Sequence, residues 1–487
     1  MRLAKMSIFK KSKAAYYAAI AVLFAGAVLL RLMNIIEAPV FVHEAPVIVS
    51  EKIFYEANGT LHHALIYIIR SLFGDGTFAM RFPSLVCDIG ICFFVWLTAK
   101  YLWNGKAAVF SLFFYSLNGF AICMGRYCRF YPMGGLFITA SSYLLLRALD
   151  AKGKSADKWW LWYFATSVCA VASMVLSVPI TAAQLIYVFY KANNKRKAFA
   201  IVNISFVLTA FVLGILWSAD SQALHRFFYS PFTGDALTMR IMGFWWIFDE
   251  HIIDFFLGSR SIYIWIAFLL LIFFAWRLSD SNHRYFIPLL ALLPFLSMVI
   301  YSFAFKSILN RNNTFLLLPV YAWIIGLLYS KIPKIFQYSL LIAIITFSEY
   351  LLLPYYSIDG PEPKYEIIRA VQMSNCSRDV FCRGVADSLY SVKHYVIGSN
   401  LKTVRFNSFQ EMEKYARTQN WHDMIIWAYV HYTEYSDFYN ILAKFGKVKA
   451  YRIDINYNGP LCMFRISGKP EADDSNGRKT AKSCQQR

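Results

Sequence analysis

The chain has 487 residues, of which 58% are apolar and 16% charged, and it carries a formal net charge of +20. Soluble domains hold about 25% charged residues. Here the apolar residues form long unbroken runs rather than recurring at helix or strand period, which excludes a soluble fold. The lysines and arginines flank those runs, so the charge reads as a topology signal and an attraction for anionic headgroups, not as a nucleic-acid footprint.

A helix needs about 20 apolar residues to cross the hydrocarbon, and on that measure about eleven spans are expected. They lie near residues 14–33, 82–102, 106–124, 131–149, 158–176, 179–190, 198–217, 260–277, 285–303, 313–330 and 334–354. Only Ser177, Val178 and Pro179 separate the fifth from the sixth, and a kinked or re-entrant pair fits the same residues. Arg2, Lys5, Lys10, Lys11 and Lys13 place the N-terminus in the cytoplasm. Alternation then puts Lys100 and Lys106, the 147–158 cluster, the 191–197 cluster, Arg277 and Arg284, and Lys331 and Lys334 on that same side. Every even-numbered connection is short and basic, so span count and charge agree. No small-residue cleavage site follows the first run, which reads as a span rather than a signal peptide.

The fold expected is a polytopic all-α membrane domain over residues 1–354 with a small extracytoplasmic α/β domain over 355–467 and a polar, disordered tail over 468–487. Two extracytoplasmic loops, 34–81 and 218–259, carry amphipathic segments expected to lie in the membrane interface. In the C-terminal part PKYEIIRAVQMS, FQEMEKYARTQ and YSDFYNILAKFG read as helices. LKTVRF and DMIIWAYV read as strands, and VKAYRIDI and LCMFRIS flank an Asn458–Gly459 turn, a hairpin signal. The nine cysteines show no repeated CxxC spacing, so no structural zinc site is suggested. A Cys376–Cys382 disulfide is compatible with an oxidising compartment, and free thiols are equally so.

Chemistry-bearing residues gather toward one membrane surface. Glu44, in VFVHEAPV, follows the first span; a carboxylate at that edge can act as a general base, and the bland alternative is a solvated loop acid. Arg126 and Arg129, in GRYCRFYPM, and Arg311, in FKSILNRNNTF, are expected at the same surface. Guanidinium groups there suit a lipid phosphate, or simply snorkel to headgroups. Asp88 and Glu349 fall inside spans, and the favoured reading of Asp88 is a structural pair with Arg81 or Arg31. His62 and His63, or His251 among its acidic neighbours, could join a metal site, though a polar interfacial face accounts for them as well.

About the first 150 residues, in order, resemble the GT-C membrane glycosyltransferases that use polyprenyl-phosphate sugars, above all the lipid A aminoarabinose transferases and protein O-mannosyltransferases. The acidic pair of that family's first loop is matched by His43–Glu44. Its His-Pro-Pro-Leu-like segment and Arg-Phe-Pro-Ser span start are matched by LHHALIYIIRSLFGDGTFAMRFPS. Its Arg-x-Tyr element is matched by Arg129–Phe130–Tyr131, and its late Arg and following Pro by Arg311 and Pro319. The departure is His43, which stands where the family has its first acid.

The resemblance implies a glycosyltransferase acting on the extracytoplasmic face by inverting displacement. Glu44, with His43 beside it, would serve as base, and Arg129, Arg126 and Arg311 would hold the donor phosphate. His62, His63, Arg81 and Asp88 are further site candidates. The partners implied are a polyprenyl-phosphate sugar, a lipid, glycan or protein acceptor, and membrane lipids, without nucleic acid. No essential cofactor is expected, with a divalent metal as the variant reading. The location implied is a bacterial plasma membrane, with the endoplasmic reticulum as the other option. A glycolipid flippase and a non-catalytic assembly subunit are the alternatives.

Overall fold

The computed structural model describes residues 2–33, 35, 59–74, 76–191, 195–219, 262–279, 282–304 and 313–333, with Gln337, five strands and a few helical residues in the C-terminal part. The eleventh expected span, the 218–259 loop, the tail, the helix expected over 363–374, the Asn458–Gly459 turn and a Cys376–Cys382 disulfide lie outside the described residues, as do His43, Glu44, His251, Arg311 and Glu349.

Twelve α-helices are described in the first 331 residues: α1 Arg2–Leu32, α2 Thr60–Phe73, α3 Thr77–Leu102, α4 Gly105–Ser116, α5 Gly119–Arg126, α6 Tyr131–Asp150, α7 Lys154–Ser173, α8 Val178–Lys191, α9 Lys195–Ala219, α10 Ile262–Leu278, α11 Phe286–Ala304 and α12 Leu318–Lys331. Each of the first ten expected spans falls on a helix or helix pair. By length and composition two helices, Ala14–Leu32 within α1 and the whole of α3, can each cross a membrane alone. Their outer faces are apolar and exposed, with Val22, Leu29, Phe82, Val86 and Phe93 turned away from the protein, as lipid contact requires.

The third expected span falls on two helices rather than one. Over 106–124 run α4 and α5, bent by 59° and together apolar enough for a broken span or a re-entrant loop. The break has a local cause, because Asn118 starts a new helix by accepting a hydrogen bond from the Ala121 amide at 3.0 Å. Asn104 caps α4 in the same way through the Ala107 amide at 2.9 Å. The fifth and sixth spans are a broken pair, since α7 ends at Ser173, Met174 is extended, and a turn of 3-10 helix over Val175–Ser177 leads into α8. The Ser177 hydroxyl donates 2.6 Å to the Met174 carbonyl and closes that break.

Helix packing here depends on close approach and on hydrogen bonds, because lipid removes most of the hydrophobic drive between helices. A Cβ on Gly326 of α12 would stand 2.6 Å from the Ser111 amide nitrogen of α4. The Trp323 indole of α12 donates 3.0 Å to the Val95 carbonyl of α3. Gln184 of α8 donates 3.0 Å to both Ser141 and Ser142 of α6.

The C-terminal unit contains strands β1 Val380–Arg383, β2 Lys402–Arg405, β3 Ile426–His431, β4 Lys447–Ile453 and β5 Leu461–Ser467. They form one mixed sheet in the order β2-β1-β3-β5-β4. β1 runs parallel to β2 and β3, while β5 runs antiparallel to β3 and β4. The four strands expected from sequence fall on β2 to β5, and β4 and β5 pair as the expected hairpin partners. β1 was not expected.

Candidate functional site

The site is built around the turn between α5 and α6, which carries Tyr127, Cys128, Arg129 and Phe130. Its backbone is fixed from α3. Ser84 donates through its hydroxyl to the Arg129 carbonyl at 2.9 Å, and the Arg129 amide donates back to the Ser84 oxygen at 3.2 Å. The side chain is aimed by aromatics. The Arg129 guanidinium lies 5.1 Å from the Phe130 ring centre and 5.2 Å from that of Tyr131, whose hydroxyl it also approaches at 3.4 Å. Such stacking fixes the plane of a guanidinium without neutralising it.

The second wall is α2. Its apolar face, with Ile68, Leu72 and Phe73, is exposed, while His62, His63 and Ile66 are buried. This corrects the bland reading of the histidines as a polar interfacial face, because both turn inward. His62 Nε2 lies 3.4 Å from the Ser84 hydroxyl, and its Nδ1 is buried without a hydrogen-bond partner among the described residues. The His63 ring meets Phe130 edge-on at 6.4 Å. Gly59, which precedes α2, has φ +92°, and a Cβ there would strike Phe130 at 2.6 Å, so only glycine lets α2 begin so close to the arginine turn.

Burial, and then the positive charge of Arg129, pushes the His63 imidazole down to about 4. His62 is held well below its usual value by burial, His63 and Arg129. Both rings are therefore neutral at physiological pH, and among the described residues Arg129 is a charge that both face.

Arg81, Ser84 and Asp88 share one face of α3 at helical spacing. Arg81, fully buried, donates 2.7 Å to the Ile35 carbonyl and lies 6.0 Å from the Tyr127 ring. Asp88 accepts from Arg31 of α1 and, at 2.6 Å, from the Tyr115 hydroxyl of α4. Of the two partners expected for Asp88, Arg31 holds it. Arg126 is buried at the end of α5. The structure thus brings His62, His63 and Arg129 together, with Arg81 beside the same turn and Asp88 in a separate buried pair. Sequence reasoning did not single out Ser84 or Tyr131 as site residues. Their signal was present, since both stand inside the RFPS and RFYP elements.

Residues 58–217 match the family described as dolichyl-phosphate-mannose-protein mannosyltransferase. That segment contains His62, His63, Arg81, Asp88, Arg126 and Arg129 and leaves out His43, Glu44 and Arg311. Among individual proteins, the undecaprenyl phosphate-alpha-4-amino-4-deoxy-L-arabinose arabinosyl transferase 2 of Proteus mirabilis (strain HI4320) is 24% identical over 183 residues, which cover 34% of this chain. The chain spans about a third of the length of that relative, 32%. ArnT from Cupriavidus metallidurans, solved bound to undecaprenyl phosphate, is similar over 91% of this chain and 97% of its own, with a TM-score of 0.55 and 10% identity. The chain has the GT-C fold. The GT-C likeness extends to the Archaeoglobus fulgidus oligosaccharyltransferase tethered to an acceptor peptide, with a TM-score of 0.53 at 12% identity over 89% of this chain and 71% of that one. A GT-C membrane fold, with the α5–α6 arginine turn inside the family's matched segment, is the frame in which this site stands.

Proposed function

We propose that the chain is a glycosyltransferase that moves a sugar from a polyprenyl-phosphate carrier to an acceptor hydroxyl. The observation that carries this reading is the arginine turn, where a stacked guanidinium faces two buried neutral imidazoles in the segment the mannosyltransferase family matches. A half-buried cation without a competing imidazolium suits the phosphodiester of a lipid-linked sugar and the phosphate monoester that leaves.

In the proposed reaction the acceptor oxygen attacks the anomeric carbon from the face opposite the phosphate. The carbon–oxygen bond to phosphate breaks, and Glu44 takes the acceptor proton. The polyprenyl phosphate leaves with its charge held by Arg129, with Arg126 and Arg311 as further donors. Inversion follows from a single displacement. With arginines to neutralise a monophosphate, no metal is needed. The proposed setting is a bacterial plasma membrane, with the site and the sheet domain on the extracytoplasmic side.

The test is transfer from a radiolabelled polyprenyl-phosphate sugar by the full chain in nanodiscs. Glu44→Gln is expected to lower kcat on the order of a hundredfold or more, the range of a lost general base. Arg129→Gln should abolish the thermal stabilisation given by undecaprenyl phosphate. EDTA should leave transfer unchanged. A wild-type chain that neither gains stability from undecaprenyl phosphate nor transfers sugar overturns the reading.

A further inference from the structure

We infer that Arg81 and Asp88, on one face of α3, are positioning residues that hold the exit of α1 in register with the arginine turn. The consequence for catalysis rests on the transferase reading above, whereas the geometry does not depend on it.

The exit of α1 is tied at two levels. At the lower level Arg31, one residue before the helix ends, donates through Nε to Asp88 and through Nη1 to the Ala27 carbonyl at 3.2 Å and the Ser116 carbonyl at 3.0 Å. Tyr115 donates to the other Asp88 oxygen at 2.6 Å. A Cβ on Gly125 of α5 would stand 2.7 Å from Asp88 Oδ2, so α5 also closes on this carboxylate. One buried acid therefore gathers α1, α4 and α5 onto α3. At the upper level Arg81 makes the link itself. Its Nη1 donates 2.7 Å to the carbonyl of Ile35, just past α1, while its guanidinium carbon lies 6.0 Å from the ring of Tyr127, two residues before Arg129. Ser84 stands between the two levels and holds the Arg129 backbone.

A buried ion pair is weak as a source of stability, since well-packed apolar residues often serve as well. What a salt bridge and a fork of fixed donors supply is a defined geometry. The chain leaves Ile35 nine residues before Glu44, and the turn held by Arg81 and Ser84 presents Arg129. One face of α3 thus sets where the chain leaves α1, at Ile35, and where the arginine proposed to hold phosphate sits. Transfer between groups held on two different segments is sensitive to such register, because a misplacement of about 1 Å can cost on the order of a hundredfold in rate.

The experiment uses the full chain with Arg81→Gln, Arg81→Lys and Tyr115→Phe. It reads kcat and KM for a polyprenyl-phosphate sugar, the melting temperature, and hydrogen exchange at the Ile35 and Arg129 amides, which are bonded to Leu32 O and Ser84 Oγ. Arg81→Gln is expected to lower kcat on the order of a hundredfold with donor KM within about twofold and to speed exchange at both amides together. Arg81→Lys should recover part of kcat, since an ammonium can still donate to the Ile35 carbonyl but does not reproduce the guanidinium's approach to Tyr127. Tyr115→Phe, which removes one hydrogen bond at nearly constant volume, should fold even if Arg81→Gln does not, and should lower kcat about tenfold. Unchanged kcat in Arg81→Gln or Tyr115→Phe beside an active wild type overturns the inference, as does a rise in KM alone. If the wild type transfers nothing, the transferase reading fails by itself. Exchange then decides the positioning claim, and independent or absent changes at the two amides sink it.

Discussion

His62 and His63 show how a residue's setting decides its chemistry. An imidazole in the unfolded chain titrates near 6.5, and in the fold His63 sits at about 4, with His62 lowered in the same direction. Between those values the unfolded chain binds protons that the folded chain refuses, so stability is complete above pH 6.5 and drains as pH falls toward 4. For His63 the gap corresponds to roughly 3 kcal/mol. The melting temperature in detergent should therefore fall as the buffer is taken from about pH 7 to about pH 4.5. The double variant His62→Gln, His63→Gln should flatten that slope, and equal slopes in the two proteins contradict the assignment. The sequence marked the positions of these histidines but not their burial, because their neighbours, Phe130 beside His63 and Ser84 beside His62, lie on distant segments. Asp88 was more legible, since an acid inside a span needs a partner. The choice of Arg31 over Arg81 was not, because it depends on how α1 and α3 pack.

At the scale of elements, what was readable was what one run of residues decides alone. A long apolar run makes a helix whatever its neighbours, so α1 and α3 could be placed as spans, and the later apolar runs fall on helices. The α4–α5 break was missed because Asn118 and Gly119 sit inside an apolar run, and one capping hydrogen bond there outweighs hydropathy. β1 was missed because it gains its identity from pairing with β2 and β3 on either side. Close helix approach is likewise invisible in sequence but sharp in its consequences. Gly326→Ala should push α12 off α4, since the added Cβ meets the Ser111 hydroxyl and also the Ser111 backbone, which a rotamer change cannot move away. The expected loss is about 1–3 kcal/mol, the usual cost of overpacking. Gly26→Ala is the control, with nothing within 4 Å of its Cβ, and should be neutral or slightly stabilising. Thermal unfolding in one detergent compares the two, and equal losses contradict the packing account.

At the scale of the molecule, the proposed orientation can be tested on α6. Its 20 residues make a rod about 30 Å long, comparable with the thickness of the hydrocarbon. One end begins at the arginine turn. The other ends at Asp150, where Tyr101 donates to the carboxylate at 2.6 Å and His283 bonds it through Nε2 at 2.9 Å. The Tyr187 hydroxyl lies 2.8 Å from the other nitrogen of His283, so the ends of α3, α6 and α8 are tied to the α10–α11 turn. Arg147, Lys152, Lys154, Lys158 and Lys191 crowd this end, and the proposed topology puts such short basic connections in the cytoplasm. On that proposal the arginine turn and α2 face the opposite side, the side on which a lipid-linked sugar would be consumed. Single cysteines at Lys152 and at Gly76, the open glycine that precedes α3, test this in a background whose native exposed thiols are replaced. In intact bacterial cells a membrane-impermeant maleimide should label Gly76→Cys and spare Lys152→Cys, and permeabilisation should expose the second. The reverse pattern would invert the protein in its membrane and leave the proposed site facing the cytoplasm. Labelling of both in intact cells would mean that α6 does not cross the bilayer, and the reach that separates its two ends would lose its meaning.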